Sequence, residues 1–416
     1  MVPCWSLRAL LGILSASIGA SEATVVAPPP PALGSVVVAV DPHAAPPERF
    51  AAGQLSHFFS LVAGLPVPVL SPVAAAATGR PVVAIGVAAA ATVGVSPQHL
   101  AAAQLGSDGY FCATAPDFSF VALSGGFSSH SSAIVPANAS TTPRGTVNAV
   151  FAYLRSLGFK FLAPNVTLGP GPVDAVPQAV RLARCDGTHV PSYNFRLINP
   201  AFLPIGADPW GDADGDDSKA PLTGSALWWV ANGLNGAMDS GELPPLPAAW
   251  GGSVRYAGGF VHTSEDLVPV ARYPAWYGGS EQLCWSNASL VTFLTAKVRS
   301  ILAGNAAAAN GEQVIVSVSQ NDVGGSGPAC AAYPGGLCYC NTPEERSIIE
   351  AEGSPMGPML RAVNAIAAAI ADDYPNAAIE TLAYDYTIRP PRHTRPRGNV
   401  LITFCTMSSE SSVLNH

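Results

Sequence analysis

The residues of this chain whose types and spacing could do chemistry follow two predicted strands. Residues 314–318 form a short apolar run, and Asp322 lies four positions beyond it. A second apolar run ends in Tyr384-Asp385-Tyr386. A carboxyl group beside phenolic side chains can donate or accept a proton while a bond breaks. We therefore expect Asp322, Asp385 and Tyr384 to be catalytic residues.

The order of the predicted elements places both groups at one edge of a sheet. Residues 314–318 predict a strand buried on both faces, because the run is short, rich in β-branched residues and bounded by polar ones. A helical spacing of apolar residues around Ile366 follows, and residues 378–384 predict the next strand. This alternation predicts parallel strands, whose carboxyl ends meet at one rim. The alternative for Asp322 is that it caps the helix or loop after the strand.

Residues suited to binding a ligand lie near further elements of the same part of the chain. Residues 193–198, 258–262 and 399–405 predict three more strands, and His262 closes the second of them. A histidine there either binds a ligand or serves as a hydrogen-bonded scaffold residue. Aromatic faces and amides suit a ligand that is flat on one side and polar at its edges. The predicted ligand-binding residues are His262, Asn321, Trp228, Asn232, Asn235, Trp285 and Tyr386.

The first part of the chain predicts a separate α+β layer domain without a catalytic constellation. Its apolar patterns alternate between strands and helices, and a linker near 177–191 follows. We expect this domain to span 35–185 and the second domain to span 190–416. The predicted elements are strands at 35–40, 82–86, 110–113, 118–124 and 159–164, and helices around 55–62 and 147–157.

Composition and charge exclude several classes of partner. Charged residues make up 12% of the chain and hydrophobic residues 49%, which is typical of a globular protein. The net charge is −8 and no basic patch is visible, so we expect no nucleic-acid partner. Neither a phosphate-binding loop nor a dinucleotide-binding fingerprint occurs in the sequence, and we expect no cofactor.

The start of the chain predicts a signal peptide. Arg8 precedes an apolar run at 9–20, and small residues lie near Ala23. The run is too short to span a bilayer, and no later segment has the roughly 18 apolar residues that spanning requires. We therefore expect residues 1–23 to be a signal peptide and residues 24–34 a proline-rich leader. The mature protein is expected to be secreted, without membrane insertion.

We expect cleavage near Ala23 and a glycan on at least one of Asn138, Asn165 and Asn287. Each of these asparagines begins an N-glycosylation sequon, which a secretory route makes available for modification. Amino-terminal sequencing and deglycosylation of a tagged chain recovered from the culture medium check both expectations. Intracellular retention of a tagged chain that keeps residues 1–23 would contradict the prediction.

Seven cysteines remain once Cys4 leaves with the signal peptide, and an odd number leaves at least one without an internal partner. The cluster of Cys330, Cys338 and Cys340 lacks the C-x2-C spacing of zinc ribbons and has no histidine nearby. This pattern favours a disulfide-pinned loop over a metal site. We expect two of the three to pair, with Cys284 as an alternative partner.

The acidic segment at 208–217 is the other candidate for binding a metal. Asp212, Asp214 and Asp216 have the alternate spacing of a calcium loop. Asp217 stands where such a loop needs glycine, and no glutamate occupies the twelfth position. A solvated loop is therefore favoured, and we expect no metal.

Two stretches of the first domain carry a pattern that occurs elsewhere. Arg144-Gly-Thr-Val-Asn-Ala-Val-Phe-Ala-Tyr-Leu154 and Leu157-Gly-Phe-Lys-Phe-Leu-Ala-Pro164 resemble the accessory α+β domain that precedes the barrels of α-glucuronidases and β-hexosaminidases. The resemblance covers residues 35–185 and implies the same α+β fold for them.

The second part of the chain carries several short motifs of one glycosidase family. His262-Thr263, Gln282-Leu-Cys284, residues 317–322, the cysteine cluster and residues 382–384 resemble glycoside hydrolase family 163 and its uncharacterised relatives. The resemblance implies a (β/α)8 barrel and, for characterised members, an endo-β-N-acetylglucosaminidase that cuts N-glycans. Glycoside cleavage needs a proton donor with a second carboxylate, or a substrate acetamide held by an acid and a tyrosine.

Three features depart from that family. Tyr273-Pro-Ala275 stands where the family has His-Pro-Glu, so one family carboxylate is missing, and the spacing of the cysteine loop differs. The chain ends at His416, shortly after the fifth predicted barrel strand. We therefore expect an α+β domain followed by a (β/α)8-type barrel truncated at its carboxyl end. The expected function is a secreted glycoside hydrolase acting on a glycan or glycoprotein; the alternative is a non-catalytic secreted glycan-binding protein derived from a glycosidase.

Overall fold

The computed structural model describes most of the chain, and its described residues form two main sheets. The described ranges are 29–96, 105–125, 144–170, 180–192, 195–197, 224–237, 246–309, 314–322 and 330–405. Within them lie a six-stranded mixed sheet, a five-stranded parallel sheet and a two-stranded hairpin. The predicted signal peptide, the acidic segment at 208–217 and the sequon at Asn138 lie outside the described residues.

Strands and helices alternate along most of the described chain. The strands are β1 (Val37–Val40), β2 (Val69–Leu70), β3 (Val82–Ile85), β4 (Tyr110–Thr114), β5 (Phe120–Gly125), β6 (Lys160–Ala163), β7 (Val166–Leu168), β8 (Gly187–His189), β9 (Gly236–Ala237), β10 (Val254–Tyr256), β11 (Val314–Ser317), β12 (Ala377–Ala383) and β13 (Val400–Phe404). The α-helices are α1 (Pro46–Ala63), α2 (Pro72–Ala77), α3 (Gly86–Thr92), α4 (Gly145–Ser156), α5 (Gly224–Ala231), α6 (Ser264–Leu267), α7 (Ala288–Ala303), α8 (Ala306–Ala309), α9 (Pro343–Glu352) and α10 (Met356–Ile370).

The first sheet has helices on both faces. Its strand order is β2-β1-β3-β5-β4-β8, with β2, β1, β3 and β5 parallel and β4 antiparallel to both of its neighbours. Helices α1 and α4 bury Leu55, Phe58 and Phe151 against one face. Alanines Ala75 and Ala89 of α2 and α3 pack on the other face. The strands predicted at 110–113 and 118–124 are confirmed as β4 and β5, which pair as an antiparallel hairpin, and β8 pairs with the other side of β4 and forms the edge of the sheet.

Helix α1 forms where the spacing of apolar residues predicts a helix. Pro46 occupies its first turn, where the missing backbone N–H is not needed, and an apolar stripe faces the core. Gly64 ends the helix with a φ of 68°, a left-handed conformation that glycine adopts without strain. The helix predicted around 55–62 is therefore confirmed.

The second sheet consists of parallel strands in chain order. Strands β9 to β13 pair consecutively, and α7 and α10 cover one face with a common core around Leu294, Val316 and Ile366. A consecutive order is typical of (β/α) barrels, whereas doubly wound sheets reverse direction along the sheet. The predicted parallel α/β arrangement is confirmed. A closed (β/α)8 barrel stays a prediction, since the described residues supply five strands of this sheet.

Three strand assignments differ from the predictions. The second predicted strand, 258–262, is a loop, and the strand is β10, which ends six residues before His262. Strand β9 was missed because it has two residues, one of them Gly236. A Cβ on Gly236 would lie 2.6 Å from Leu197 Cδ1, so glycine is needed there because Leu197 packs closely against the strand backbone. An apolar sequence pattern does not reveal such a requirement. Residues 195–197 of the first predicted strand are not in a strand.

Two disulfides hold the cysteine-rich loop. Cys330 pairs with Cys338, and Cys284 pairs with Cys340, with Cα atoms 4.9 and 5.1 Å apart. The predicted disulfide within the cluster is therefore confirmed, and the alternative partner Cys284 is also used. Together the two bonds join the loop before α9 to the segment before α7.

A buried ionic cluster joins the first sheet to the start of the second. Asp108 Oδ1 lies 3.2 Å from Arg196 Nη2 and 3.6 Å from Arg144 Nε. Asn148 and Asn235 donate further hydrogen bonds to Asp108. Burial alone would raise the pKa of Asp108, but the two guanidinium groups and a hydrogen bond from the neighbouring serine hold it below its ordinary value. Asp108 is therefore an ionised anchor between the two parts of the chain.

Candidate functional site

The carboxyl ends of β10, β11 and β12 are locked together by buried hydrogen bonds. Thr263 Oγ1 donates to the carbonyl of Ser317 at 3.0 Å, and Ser264 Oγ donates to the carbonyl of Ser319 at 2.7 Å. Gln320 Nε2 donates to the carbonyl of Tyr384 at 3.1 Å and to Thr387 Oγ1 at 2.8 Å. Three loops that are distant in sequence are thus held in fixed relative positions. Gln320 and Thr387 were not predicted, although a polar residue directly after a buried strand is a usable signal.

His262, Asp322, Tyr384 and Asp385 gather on this framework, and we call these four residues the rim cluster. His262 Nε2 lies 3.7 Å from Asp322 Oδ1. The ring of His262 meets the ring of Tyr384 edge to face, with centroids 5.5 Å apart. The hydroxyl of Tyr384 donates a hydrogen bond to Asp322. Residues predicted from three separate stretches of sequence therefore lie side by side.

The hydrogen bonds of His262 determine which of its ring nitrogens carries a proton. His262 Nδ1 lies 3.0 Å from the carbonyl oxygen of Gln320, and a carbonyl can only accept. Nδ1 therefore carries the hydrogen, which leaves Nε2 of a neutral ring as the acceptor that faces Asp322. His262 can take up a proton at Nε2 beside the Asp322 carboxylate.

The phenol of Tyr384 is held as a hydrogen-bond donor. Burial, the hydrogen bond to Asp322 and the negative charges of Asp322 and Asp385 all raise the pKa of Tyr384. Both carboxylates therefore act on the same hydroxyl group. The side chain of Asp322 is 66% exposed, so a solute can reach it.

Backbone strain is concentrated in the rim cluster. Four non-glycine residues of the described part have positive φ, and two of them are His262 at 56° and Asp385 at 50°. The left-handed region is uncommon for residues other than glycine, although Asp and His adopt it more readily than most, and such residues often lie at functional sites where the surrounding structure fixes them. The strain supports a functional role for both residues.

Three other predicted site residues lie behind the rim cluster. Both polar atoms of the Asn321 amide form hydrogen bonds within the protein: Oδ1 accepts from the backbone N–H of Glu265, and Nδ2 donates to the carbonyl of Glu281. Trp285 is buried, and its indole faces the hydroxyl of Tyr386. Tyr386 stacks on Tyr339 with centroids 5.1 Å apart. Their contact with a ligand stays a prediction.

The remaining predicted residues lie in another part of the fold. Trp228 packs at the edge of the first core, and Asn232 donates to the carbonyls of Phe161 and Trp228 at the end of α5. Asn235 is fully buried and accepts a hydrogen bond from the backbone of Arg196. The structure therefore does not bring these three residues into the rim cluster, and their role in ligand binding stays a prediction.

Glu380 is a buried acid that sequence reasoning missed. It lies in the middle of β12, fully buried, and neither carboxyl oxygen has a hydrogen-bonding partner among the described residues. Burial raises the pKa of Glu380 to about 7, against the opposing effect of the Ser317 and Thr403 hydroxyls. Four residues of strand place its Cα roughly 13 Å from that of Tyr384. Glu380 therefore lies deeper along β12 than the rim cluster. Its presence as the charged residue of an otherwise uncharged strand could have identified it from the sequence.

A cavity of about 640 Å³ is lined by two residues that interact with Glu380, Tyr256 and Thr403. Tyr256, Phe195, Phe260 and Thr403 are among the residues that line it. Tyr256 has a buried hydroxyl without a hydrogen-bonding partner in the described part, and the charge of Glu380 contributes, after burial, to raising its pKa. The cavity is of a size that suits a small ligand, and aromatic rings form part of its wall.

Replacing Glu380 with Gln is expected to flatten the pH dependence of stability between about pH 4.5 and 7. Folded Glu380 keeps its proton up to pH about 7, whereas the unfolded chain releases it near 4.5. The free energy of unfolding of the wild type is therefore highest at low pH and falls by at most about 3 kcal/mol as the pH rises through this window. Urea unfolding at pH 5 and pH 8 measures the effect, with exposed Glu350→Gln as the control. An unchanged pH dependence in Glu380→Gln would contradict the assignment.

The described residues contain no group of three or more His, Cys, Asp or Glu side chains arranged to hold a metal ion. They also contain no helix that is both long and apolar enough to cross a membrane. The chemistry that the rim cluster itself offers is proton transfer by carboxylates, an imidazole and a phenol.

Comparisons with known proteins give a match to a sequence family and distant structural likenesses. A search of curated proteins found no match. A solved family GH115 4-O-methyl-α-glucuronidase with specificity for decorated arabinogalactans is similar at 13% identity and a TM-score of 0.39, over 85% of this chain. The chain spans 42% of the length of that structure. Residues 246–415, which contain β10 to β13 and the whole rim cluster, match the model of a domain of unknown function, DUF4838.

Proposed function

We propose that this protein is a secreted glycoside hydrolase related to family 163, acting on the glycan of a glycoprotein. The observation that carries the proposal is the meeting of His262, Asp322 and Tyr384 at the carboxyl ends of adjacent parallel strands. Enzymes built on parallel α/β sheets and barrels place their active sites at this end. The motifs shared with family 163 favour N-glycans and cleavage next to N-acetylglucosamine.

The rim cluster offers a division of roles for this reaction. Asp322 is the proposed proton donor and acceptor, since it is exposed and lies beside the Nε2 acceptor of His262. Tyr384 and Asp385 are proposed to hold the acetamide group of the substrate, because a phenol that stays protonated donates to its oxygen and a carboxylate accepts from its N–H. An acetamide oriented in this way can assist departure of the leaving group.

The proposal is tested with the full-length secreted chain on two kinds of substrate. N-glycans released from or attached to glycoproteins test endo-cleavage, and chromogenic β-N-acetylglucosaminides test removal of a terminal sugar. We expect cleavage of the N-glycan core with little action on the chromogenic substrates. Absence of turnover on both kinds of substrate would reject the hydrolase.

A glycan-binding protein without catalysis is the second candidate. It is favoured by Tyr273-Pro-Ala275, because this segment lacks the carboxylate that family 163 carries there. Residues Pro274–Tyr277 form a short 3-10 helix in which Trp276 stacks on Tyr273, so no acid is supplied from this position. Binding of N-glycans on an array without turnover by the same preparation would support this candidate over the enzyme.

A further inference from the structure

Two of the cysteines outside the observed disulfides are neighbours on adjacent strands. Among the described residues, the free cysteines are Cys112, Cys185 and Cys405. Cys112 of β4 pairs in antiparallel register with Gly187 of β8, two residues beyond Cys185. Thr114 Oγ1 donates to the carbonyl of Cys185 and accepts from its N–H, both at 3.0 Å. The segment that carries Cys185 is therefore fixed against β4.

The side chains of Cys112 and Cys185 lie on the same face of this strand pair. Cys112 is buried in the main core of the first sheet, and Cys185 packs against that core while remaining partly exposed. Each thiol shifts the pKa of the other, which is consistent with two sulfurs on the same face lying near each other. Diagonal neighbours across antiparallel strands have Cα atoms about 7–8 Å apart, with Cβ atoms somewhat closer, whereas a disulfide needs Cα atoms about 6.8 Å apart or less. Formation of the bond therefore requires the backbone at Cys185 to shift toward β4 by up to about 1 Å.

We propose that Cys112 and Cys185 form a third disulfide in the secreted protein. The oxidant is a low-molecular-weight disulfide such as oxidised glutathione. The thiolate of Cys185 attacks it, forms a mixed disulfide and releases one thiol. Cys112 then loses its proton to solvent, and its sulfur attacks the Cys185 sulfur; the Cys112–Cys185 bond forms and the second small thiol leaves. Two protein thiols are oxidised and one small disulfide is reduced to two thiols.

Accessibility determines the order in which the two thiols react. In the reduced protein the interaction between the thiols lowers the pKa of Cys112 and, together with burial, raises the pKa of Cys185, so Cys185 must lose its proton to solvent before it attacks. Cys185 is the partly exposed member and is the one that a small disulfide can reach. The resulting bond would tie the connecting segment at 180–192 to the first sheet and leave Cys405 as the remaining thiol among the described cysteines.

Peptide mapping of the full-length secreted protein under non-reducing conditions tests the proposal. Trypsin cuts after Arg49, Arg144, Arg184 and Arg196 but not after Arg80, which precedes a proline, so the bond would join the peptide 50–144 to the peptide 185–196. After alkylation of the denatured but unreduced protein, we expect this linked pair together with a modified Cys405. Alkylation of both Cys112 and Cys185 in protein whose other two disulfides are intact would overturn the proposal.

Serine variants provide an independent readout. Cys112→Ser should release Cys185, raising the number of alkylated thiols by one and lowering the melting temperature by roughly 5–15 °C. Cys405→Ser is the matched control and should lose one alkylated thiol while keeping the linked peptides. If Cys112→Ser does not accumulate, thiol counting on the wild-type protein alone still decides the matter. A thiol count that falls by one in a folded Cys112→Ser, as expected when both thiols are free in the wild type, would also overturn the bond.

Discussion

Replacing Asp322 with Asn is expected to reduce glycan turnover by roughly 100-fold to 10,000-fold, the usual cost of removing a general acid or base. The carboxylate accepts the hydrogen of Tyr384 and faces His262 Nε2, whereas an amide cannot exchange a proton with either group near neutral pH. The side chain is mostly exposed, so the nearly isosteric change should affect stability little. The measurement is kcat/KM on the substrate that the wild-type protein cleaves, together with thermal unfolding of both proteins.

Two more variants separate catalysis from general charge effects. Tyr384→Phe removes a single hydroxyl and should lower turnover less than the loss of Asp322, with a larger effect on substrates that carry an N-acetyl group. Asp372→Asn removes the same charge from an exposed position after α10 and should behave as wild type. Equal turnover in Asp322→Asn and wild type would refute the catalytic role and leave Asp322 as a loop residue.

Replacing Asp108 with Asn is expected to lower the free energy of unfolding by about 3–5 kcal/mol. The substitution leaves Arg144 buried without its nearby anion and also removes the ion pair to Arg196. Since the native pKa of Asp108 is depressed, its contribution is present above the ordinary carboxyl pKa of about 4 and is lost as the pH falls through the native value. The difference between wild type and variant should therefore shrink on acidification.

Urea unfolding at pH 7 and pH 3 measures this difference. Asp372→Asn again serves as the control for loss of one surface charge. A loss of less than about 1 kcal/mol at pH 7 would show that the cluster behaves like a surface ion pair. Because Asn235 and Arg196 belong to the start of the second part, a loss of the predicted size would also show that this junction is a main source of stability.

Local patterns of sequence were sufficient where an element depends on its own residues. The apolar run before Asp322 predicted β11, and the next run predicted β12, so the positions of Asp322 and Tyr384 after parallel strands followed from chain order. Helix α1 was predictable from its stripe and its terminal glycine. The cysteine cluster predicted a disulfide because its spacing excluded the usual metal sites.

The tertiary structure decided which polar side chains are free to act. His262 is oriented by the carbonyl of Gln320, 58 residues away, and Gln320 is in turn bonded to Tyr384, 64 residues away. In sequence, Asn321 and Asp322 were equally good candidates for contacting a ligand. In the structure, both ends of the Asn321 amide are hydrogen-bonded to backbone groups. Glu380 is buried on the face of β12 that is opposite to α7 and α10, where Tyr256 and Phe260 pack beside Ala378. Sequence periodicity determines which face of an element is buried, whereas the partner of a polar group depends on the packing of distant segments.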